Sequence, residues 1–236
     1  MIAIMIYSFF LLFVVHLFFF SPARVQQQSA APSPTATPAA TEPKKTNQRP
    51  APGEQKNAEL FDKATVKEMA AQCVKLETEA GLIEIELLPE AAPESVSNFL
   101  NLAATGAFDT TTFSRVVKDF VVQGGNLSTR ERLTPELAER ARRTVPDEPN
   151  YVKHARGIVS MARPDTPNGA TTSFFILVSD APHLDGTFAA FGRVTSGMET
   201  VDAINRAPVE NEKPKQPVRL LRAIVTPCAS AVKPSN

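Results

Sequence analysis

The residues with most to offer chemically are an arginine and a glutamine set among apolar neighbours. They lie in Phe113-Ser114-Arg115-Val116-Val117-Lys118-Asp119-Phe120-Val121-Val122-Gln123-Gly124-Gly125-Asn126, at positions where a hydrophobic strand normally carries another apolar side chain. A guanidinium held among apolar walls is a fixed hydrogen-bond donor, and exclusion of water strengthens it. The bland alternative for Arg115 is a surface salt bridge, and so apolar a run speaks against it. Other chemistries have less support. His16, His154 and His183 are scattered, and Cys73 and Cys228 lack metal-ligand spacing, so neither a metal nor a cofactor is expected. Gly124-Gly125 lacks the further glycines and the Lys-Ser/Thr of a phosphate loop. His183 and Asp185, two positions apart around Leu184-Asp185-Gly186, suit a tight turn better than an acid–base pair.

What must position Arg115 and Gln123 is a β-hairpin, read from the Val- and Phe-rich runs on either side of Lys118-Asp119. A three-residue turn, Lys118 to Phe120, sets Arg115 opposite Gln123 on one face. A two-residue turn sets them on opposite faces, because strand side chains alternate with period two. The residues themselves leave both turns open. Upstream, Val74, Leu76 and Thr78 alternate with charged residues, as do Ile83, Ile85 and Leu87 after Ala80-Gly81, which predicts an earlier hairpin. From Pro93 to Leu102 the spacing is helical, with Val96, Phe99 and Leu100 on one side, Pro93 in the first turn and Gly106 at the end. The polar stretch Asn126–Val152 carries a helical insert at Pro135–Arg143. Further strands are predicted at Gly157–Ala162, Ser173–Val178, Phe188–Val194 and Arg219–Thr226, with a second main helix at Met198–Arg206.

A chain of 236 residues holds one domain of this kind plus appendages. The domain is expected over 73–230, preceded by a lead-in helix at 59–72 (Leu60, Phe61, Val66 and Met69 among charges) and followed by a tail at 231–236. Residues 1–24 read as a signal peptide or membrane anchor. Ile2–Phe20 is nearly all apolar and about long enough to cross a bilayer, although no Lys or Arg precedes it. Residues 25–58, rich in Pro, Ala, Thr, Ser and Gln, cannot bury enough apolar surface to offset ordering and are expected to be a disordered linker. The domain is therefore expected to be exported, periplasmic or held outside the cytoplasm by membrane attachment through residues 2–20. Lys+Arg 25 against Asp+Glu 25 leaves no net field to draw nucleic acid. Two distant cysteines exclude a dense disulfide scaffold.

Three blocks in order and in register carry a resemblance. The first is Phe113-Ser114-Arg115-Val116-Val117, Phe120-Val121 and Gln123-Gly124-Gly125. The second runs from Gly157 to Arg163 and on to Ser173-Phe174-Phe175-Ile176, and the third is His183-Leu184-Asp185-Gly186 with Phe191-Gly192-Arg193-Val194. Over Cys73 to Ala229 the chain resembles the cyclophilins, a family of peptidyl-prolyl cis-trans isomerases. The resemblance implies a mainly β fold: a closed eight-stranded antiparallel barrel capped by two helices, its interior filled, so that a ligand sits outside. It favours the hairpin turn that puts Arg115 and Gln123 together. It implies Arg115, Gln123 and Phe120 as catalytic residues, with Arg115 donating to the prolyl nitrogen or its flanking carbonyl. Phe120, Val121, Phe175 and Leu184 would line the proline pocket with Phe188 at its rim, and Ala162, Arg163, Ser173 and His183 would complete the substrate surface.

The chain departs from the family at three of these positions. Ser173 stands where many members carry a second glutamine, Phe188 replaces a histidine or tyrosine, and His183 replaces the tryptophan of some eukaryotic members. In the family's barrel the first and last strands lie antiparallel, which would bring Cys73 and Cys228 together as a candidate disulfide in an oxidising compartment. The implied partners are proline-containing polypeptides, with a monomer as the acting form. The alternative is a non-catalytic cyclophilin-fold module, a proline-peptide binder or holdase. Arg115, present with Phe120 and Gln123, favours the enzyme.

Overall fold

The computed structural model describes residues 59–228. The signal peptide or anchor expected over 1–24, the linker over 25–58 and the tail over 231–236 lie outside the described residues. Of the stretch 59–72, expected as a lead-in helix, only α1 (Val66–Ala70) is α-helical. Thr65 starts it with a capping box: its hydroxyl accepts the Glu68 N–H, and the Glu68 carboxylate accepts the Thr65 N–H. Before Thr65 the chain is a turn tied to a distant helix, with the Phe61 N–H donating to Asn101 and the Ser97 hydroxyl to the Phe61 carbonyl.

The alternation seen in the sequence becomes β1 (Gln72–Thr78) and β2 (Gly81–Leu87), which pair antiparallel with Val74 opposite Ile85 and Leu76 opposite Ile83. All four side chains are fully buried. Helix α2 (Pro93–Ala104) follows. Its N-cap, Ala92, has no side-chain acceptor, and the need is met from afar: the Glu148 carboxylate accepts the N–H groups of Glu94 (2.9 Å) and Ser95 (2.8 Å). A carboxylate there also opposes the positive end of the helix dipole. The chain continues through β3 (Arg115–Val117), β4 (Val121–Gly124) and α3 (Pro135–Arg140). Then come β5 (Ile158–Met161), β6 (Phe174–Leu177), β7 (Ala190–Ser196) and α4 (Met198–Asn205). The hairpin β8 (Val209–Glu210) and β9 (Lys213–Pro214) precedes the last strand, β10 (Leu220–Pro227).

Eight strands form one antiparallel sheet in the order β10-β1-β2-β7-β5-β6-β4-β3. The expected closed barrel is corrected here: β10 and β3 are the two end strands, and the sheet is open between them. The seam carries one isolated bridge, Thr112 to Arg219, with Phe113 N–H donating to Val218 and Leu220 N–H to Thr111. β3 does not meet β10 because its outer edge is already occupied: the Val116 N–H donates to the Glu212 carbonyl in the β8–β9 hairpin at 2.8 Å. The described residues contain four α-helices: α2 and α4, the expected main pair, and the shorter α1 and α3 in the expected lead-in and insert. The interior is filled by phenylalanines. Phe99 of α2 sits 5.0–5.2 Å, ring centroid to ring centroid, from Phe108, Phe174 and Phe191. The last strand lies beside the first, and Cys73 and Cys228 are joined by a disulfide with a Cα separation of 4.9 Å.

Candidate active site

The β3–β4 hairpin turns through three residues, so Arg115 pairs with Gln123 and Val117 with Val121. The turn is held by Asn205, at the end of α4. Its carboxamide oxygen accepts the Asp119 N–H (3.1 Å), and its amide donates to the carbonyls of Val117 (2.9 Å) and Val121 (3.3 Å). Asp119 takes left-handed backbone, φ 56°, which aspartate tolerates better than most residues. The pleat then divides the side chains. Val116 and Val122 enter the interior core, while Val117 and Val121 join a second apolar cluster on the opposite face. On β6, Phe174 and Ile176 point inward, and Phe175 and Leu177 belong to the outer cluster.

That outer cluster surrounds a cavity of about 240 Å³. Phe120, Val121, Phe175, Leu184 and Phe188 supply its apolar wall, and Arg115, Gln123, Ala162 and Arg163 its polar rim. Phe175 meets Phe188 edge-on, ring centroids 5.8 Å apart. Two of the residues singled out in the sequence lie outside this lining. Ser173 borders an adjoining hollow shared with Gln123, Ala162 and Arg163, and its carbonyl accepts the Ala162 N–H at 3.0 Å. His183 is exposed on the far side of Phe120, ring centroids 5.5 Å apart.

The two arginines of the rim are held differently. Arg115 donates from Nε to Glu212 Oε2 (2.8 Å) and from Nη1 to Gln123 Oε1 (3.4 Å). Arg163 lies over the Phe188 ring, 5.0 Å from its centroid, a cation–π contact that anchors the arginine against the pocket wall. Sequence reasoning missed Glu212, which is 97 residues from Arg115, and no local signal marks it. It also missed Asn205, whose clamp acts 86 residues away.

A third group not foreseen is a Ser–His–Asp chain beneath the site. Ser160 Oγ is 3.0 Å from His154 Nε2, and His154 Nδ1 is 3.3 Å from Asp185 Oδ1. The order resembles a nucleophile relay. Ser160 and the His154 side chain are both fully buried, so no substrate atom reaches them, and the chain acts as a clamp. Burial pushes the His154 pKa down, opposed by its hydrogen bond and attraction to Asp185. The neutral ring therefore donates from Nδ1 to Asp185 and accepts at Nε2 from Ser160. The Asp185 carboxyl is held below its ordinary value, first by the hydrogen bond from the His154 backbone N–H. This ties Asp185, next to the wall residue Leu184, to the strand under the pocket. Among the described residues no cluster of His, Cys, Asp and Glu is arranged to hold a metal ion.

The family model for cyclophilin-type peptidyl-prolyl cis-trans isomerases matches residues 73–225. A peptidyl-prolyl cis-trans isomerase of Arabidopsis thaliana is 36% identical over 147 residues, which is 61% of this chain and 65% of that protein. One from Acinetobacter baylyi is 34% identical over 165 residues, 65% of this chain and 85% of that one. Among solved structures, a cyclophilin-type isomerase of Cryptosporidium parvum, crystallised in the presence of the dipeptide Ala-Pro, superposes with a TM-score of 0.57 at 27% identity. That match covers 65% of this chain and 98% of the other.

Proposed function

The chain belongs to the cyclophilin-type peptidyl-prolyl cis-trans isomerases, and with that activity as the premise we propose that its outer cavity turns X-Pro bonds in polypeptides outside the cytoplasm. Rotation about the prolyl amide forfeits its resonance, a barrier of roughly 18–20 kcal/mol. No proton abstraction and no covalent intermediate are required. The site must grip the proline ring and stabilise the twisted bond more than the planar one. In the twisted state the prolyl nitrogen regains a lone pair that accepts a hydrogen bond. Arg115 is the donor in this reading, Phe120, Val121, Phe175, Leu184 and Phe188 receive the ring, and Gln123 with the backbone at Ala162-Arg163 aligns the peptide on either side. Ser173 and His183 contact residues further along the substrate. The observation that carries the reading is the hydrogen-bonded guanidinium of Arg115 at the rim of an apolar-walled cavity large enough for a pyrrolidine ring.

Export is supported by the apolar stretch Ile2–Phe20 and by the Cys73–Cys228 bond, since disulfides persist in oxidising compartments. The acting form in this reading is a monomer. NMR exchange or a protease-coupled assay on an Ala-Pro peptide tests the central point. Arg115→Ala should keep the fold and lower turnover about 10²–10³-fold, the scale for removing one preorganised donor. A mutant as fast as the wild type at equal folded content would sink the assignment of Arg115. Should the wild type bind the peptide without accelerating exchange, the protein is a binding module instead.

A further inference from the structure

Glu212 occupies backbone that a glutamate rarely adopts. β8 and β9 are joined by two residues, Asn211 and Glu212, with φ of 49° and 63°. Left-handed backbone at both central positions is the signature of a type I′ turn, for which asparagine suits the first position and glycine the second. A residue with a Cβ is disfavoured at the second, because left-handed backbone brings that carbon against the following carbonyl oxygen. Non-glycine residues kept in such conformations gather at functional sites, where other contacts over-determine them.

Two contacts hold Glu212, and both lead to the same strand. Its carbonyl accepts the Val116 N–H at 2.8 Å, stitching the turn to the outer edge of β3. Its carboxylate accepts the Nε–H of Arg115, the residue before Val116, also at 2.8 Å. The side chains are 43% and 50% exposed, and an ion pair so open to water adds little to stability. Stability therefore does not account for a glutamate in this turn. Geometry does. A guanidinium has five N–H donors in a rigid plane. Glu212 takes the one on Nε and Gln123 one on Nη1, which fixes the plane and leaves the remaining donors for a ligand in the cavity that Arg115 lines.

We propose that Glu212 is a positioning residue: its unfavourable turn conformation is kept because it delivers a carboxylate to Arg115 Nε and sets the guanidinium for the twisted prolyl bond. This rests on the reading of Arg115 as the donor. The test is Glu212→Gly, a substitution that left-handed backbone accepts. It should keep or raise the melting temperature while lowering kcat about tenfold with little change in KM, because what is lost is orientation in the transition state. Glu212→Gln keeps an acceptor and should return activity to within about threefold of wild type. In an Arg115→Ala background, Glu212→Gly should cost no further activity. Wild-type kcat in Glu212→Gly, or the same fold-loss in both backgrounds, overturns the role of Glu212. If Arg115→Ala is itself as fast as the wild type, the reading of Arg115 fails and this one falls with it; a silent Glu212→Gly beside an impaired Arg115→Ala removes the role of Glu212 alone.

Discussion

Phe174 and Phe175 are consecutive residues of one type, and they belong to two different regions. Phe174 is fully buried in the interior, edge-on to Phe99 (5.2 Å), Phe108 (5.6 Å) and Phe113 (6.5 Å). Phe175 lies on the other face of β6, in the small cluster with Val121 and Leu184 that borders the cavity. The interior admits no slack: a Cβ placed on Gly125, which has φ +80°, would stand 2.8 Å from the Phe174 ring and 2.6 Å from the Thr172 carbonyl. That is why the second residue of the glycine pair must be glycine. The outer cluster is open on one side, where Arg115 sits. The same residue type is thus structural on one face of the pleat and available to a ligand on the other, and what separates them is the strand's period of two.

The largest effect that would sharpen this contrast is on Phe174. Phe174→Ala removes a ring from a closed core and should cost about 3–5 kcal/mol in urea unfolding, with activity per folded molecule little changed. Phe175→Ala should cost less stability, roughly 1.5–3 kcal/mol, because the vacated space adjoins a cavity open to water. Its main consequence should be a KM raised about tenfold, the scale of a few methylenes lost from an apolar pocket. Equal stability losses with equal activity would break the distinction between the two faces.

The smallest effect concerns the clamp beneath the outer face. The His154 pKa is depressed in the folded protein, so below about pH 6.5 the unfolded chain takes up a proton that the folded one refuses. The stability this group contributes is therefore complete above that pH and is lost as pH falls toward the folded value. Melting temperature followed from about pH 7.5 to 5 should decline, and His154→Gln should flatten that part of the decline. An unchanged slope in the mutant would show that the buried ring is not its source.

Much of this protein is legible from local pattern. Val74, Leu76, Ile83 and Ile85 alternate as a half-buried hairpin must, and all four are core residues. The helix beginning at Pro93 and the strands near Gly157, Ser173 and Arg219 are where the periodicity puts them, within a few residues at the ends. The residues expected at the cavity come from the resemblance that three short motifs carry, not from periodicity. Sequence pattern has this reach because the energies it reflects are local: side-chain period, proline at a helix start, polar residues in turns.

Tertiary structure decided the rest, through contacts between segments that carry no mark of each other. The hairpin turn, open between two and three residues on its own sequence, is set by the Asn205 carboxamide on Asp119, Val117 and Val121. Glu148 caps a helix from 53 residues downstream of Ser95. The sheet stays open because Glu212 takes the hydrogen bond from Val116 that a closing strand would need. The same residue reaches Arg115 across 97 positions. In each case a buried or edge N–H must find an acceptor, and which acceptor arrives depends on how distant segments pack. Local sequence therefore determined the hairpin that carries Arg115 and Gln123, and only the folded chain decided that Asn205 holds its turn and that a carboxylate stands behind the guanidinium.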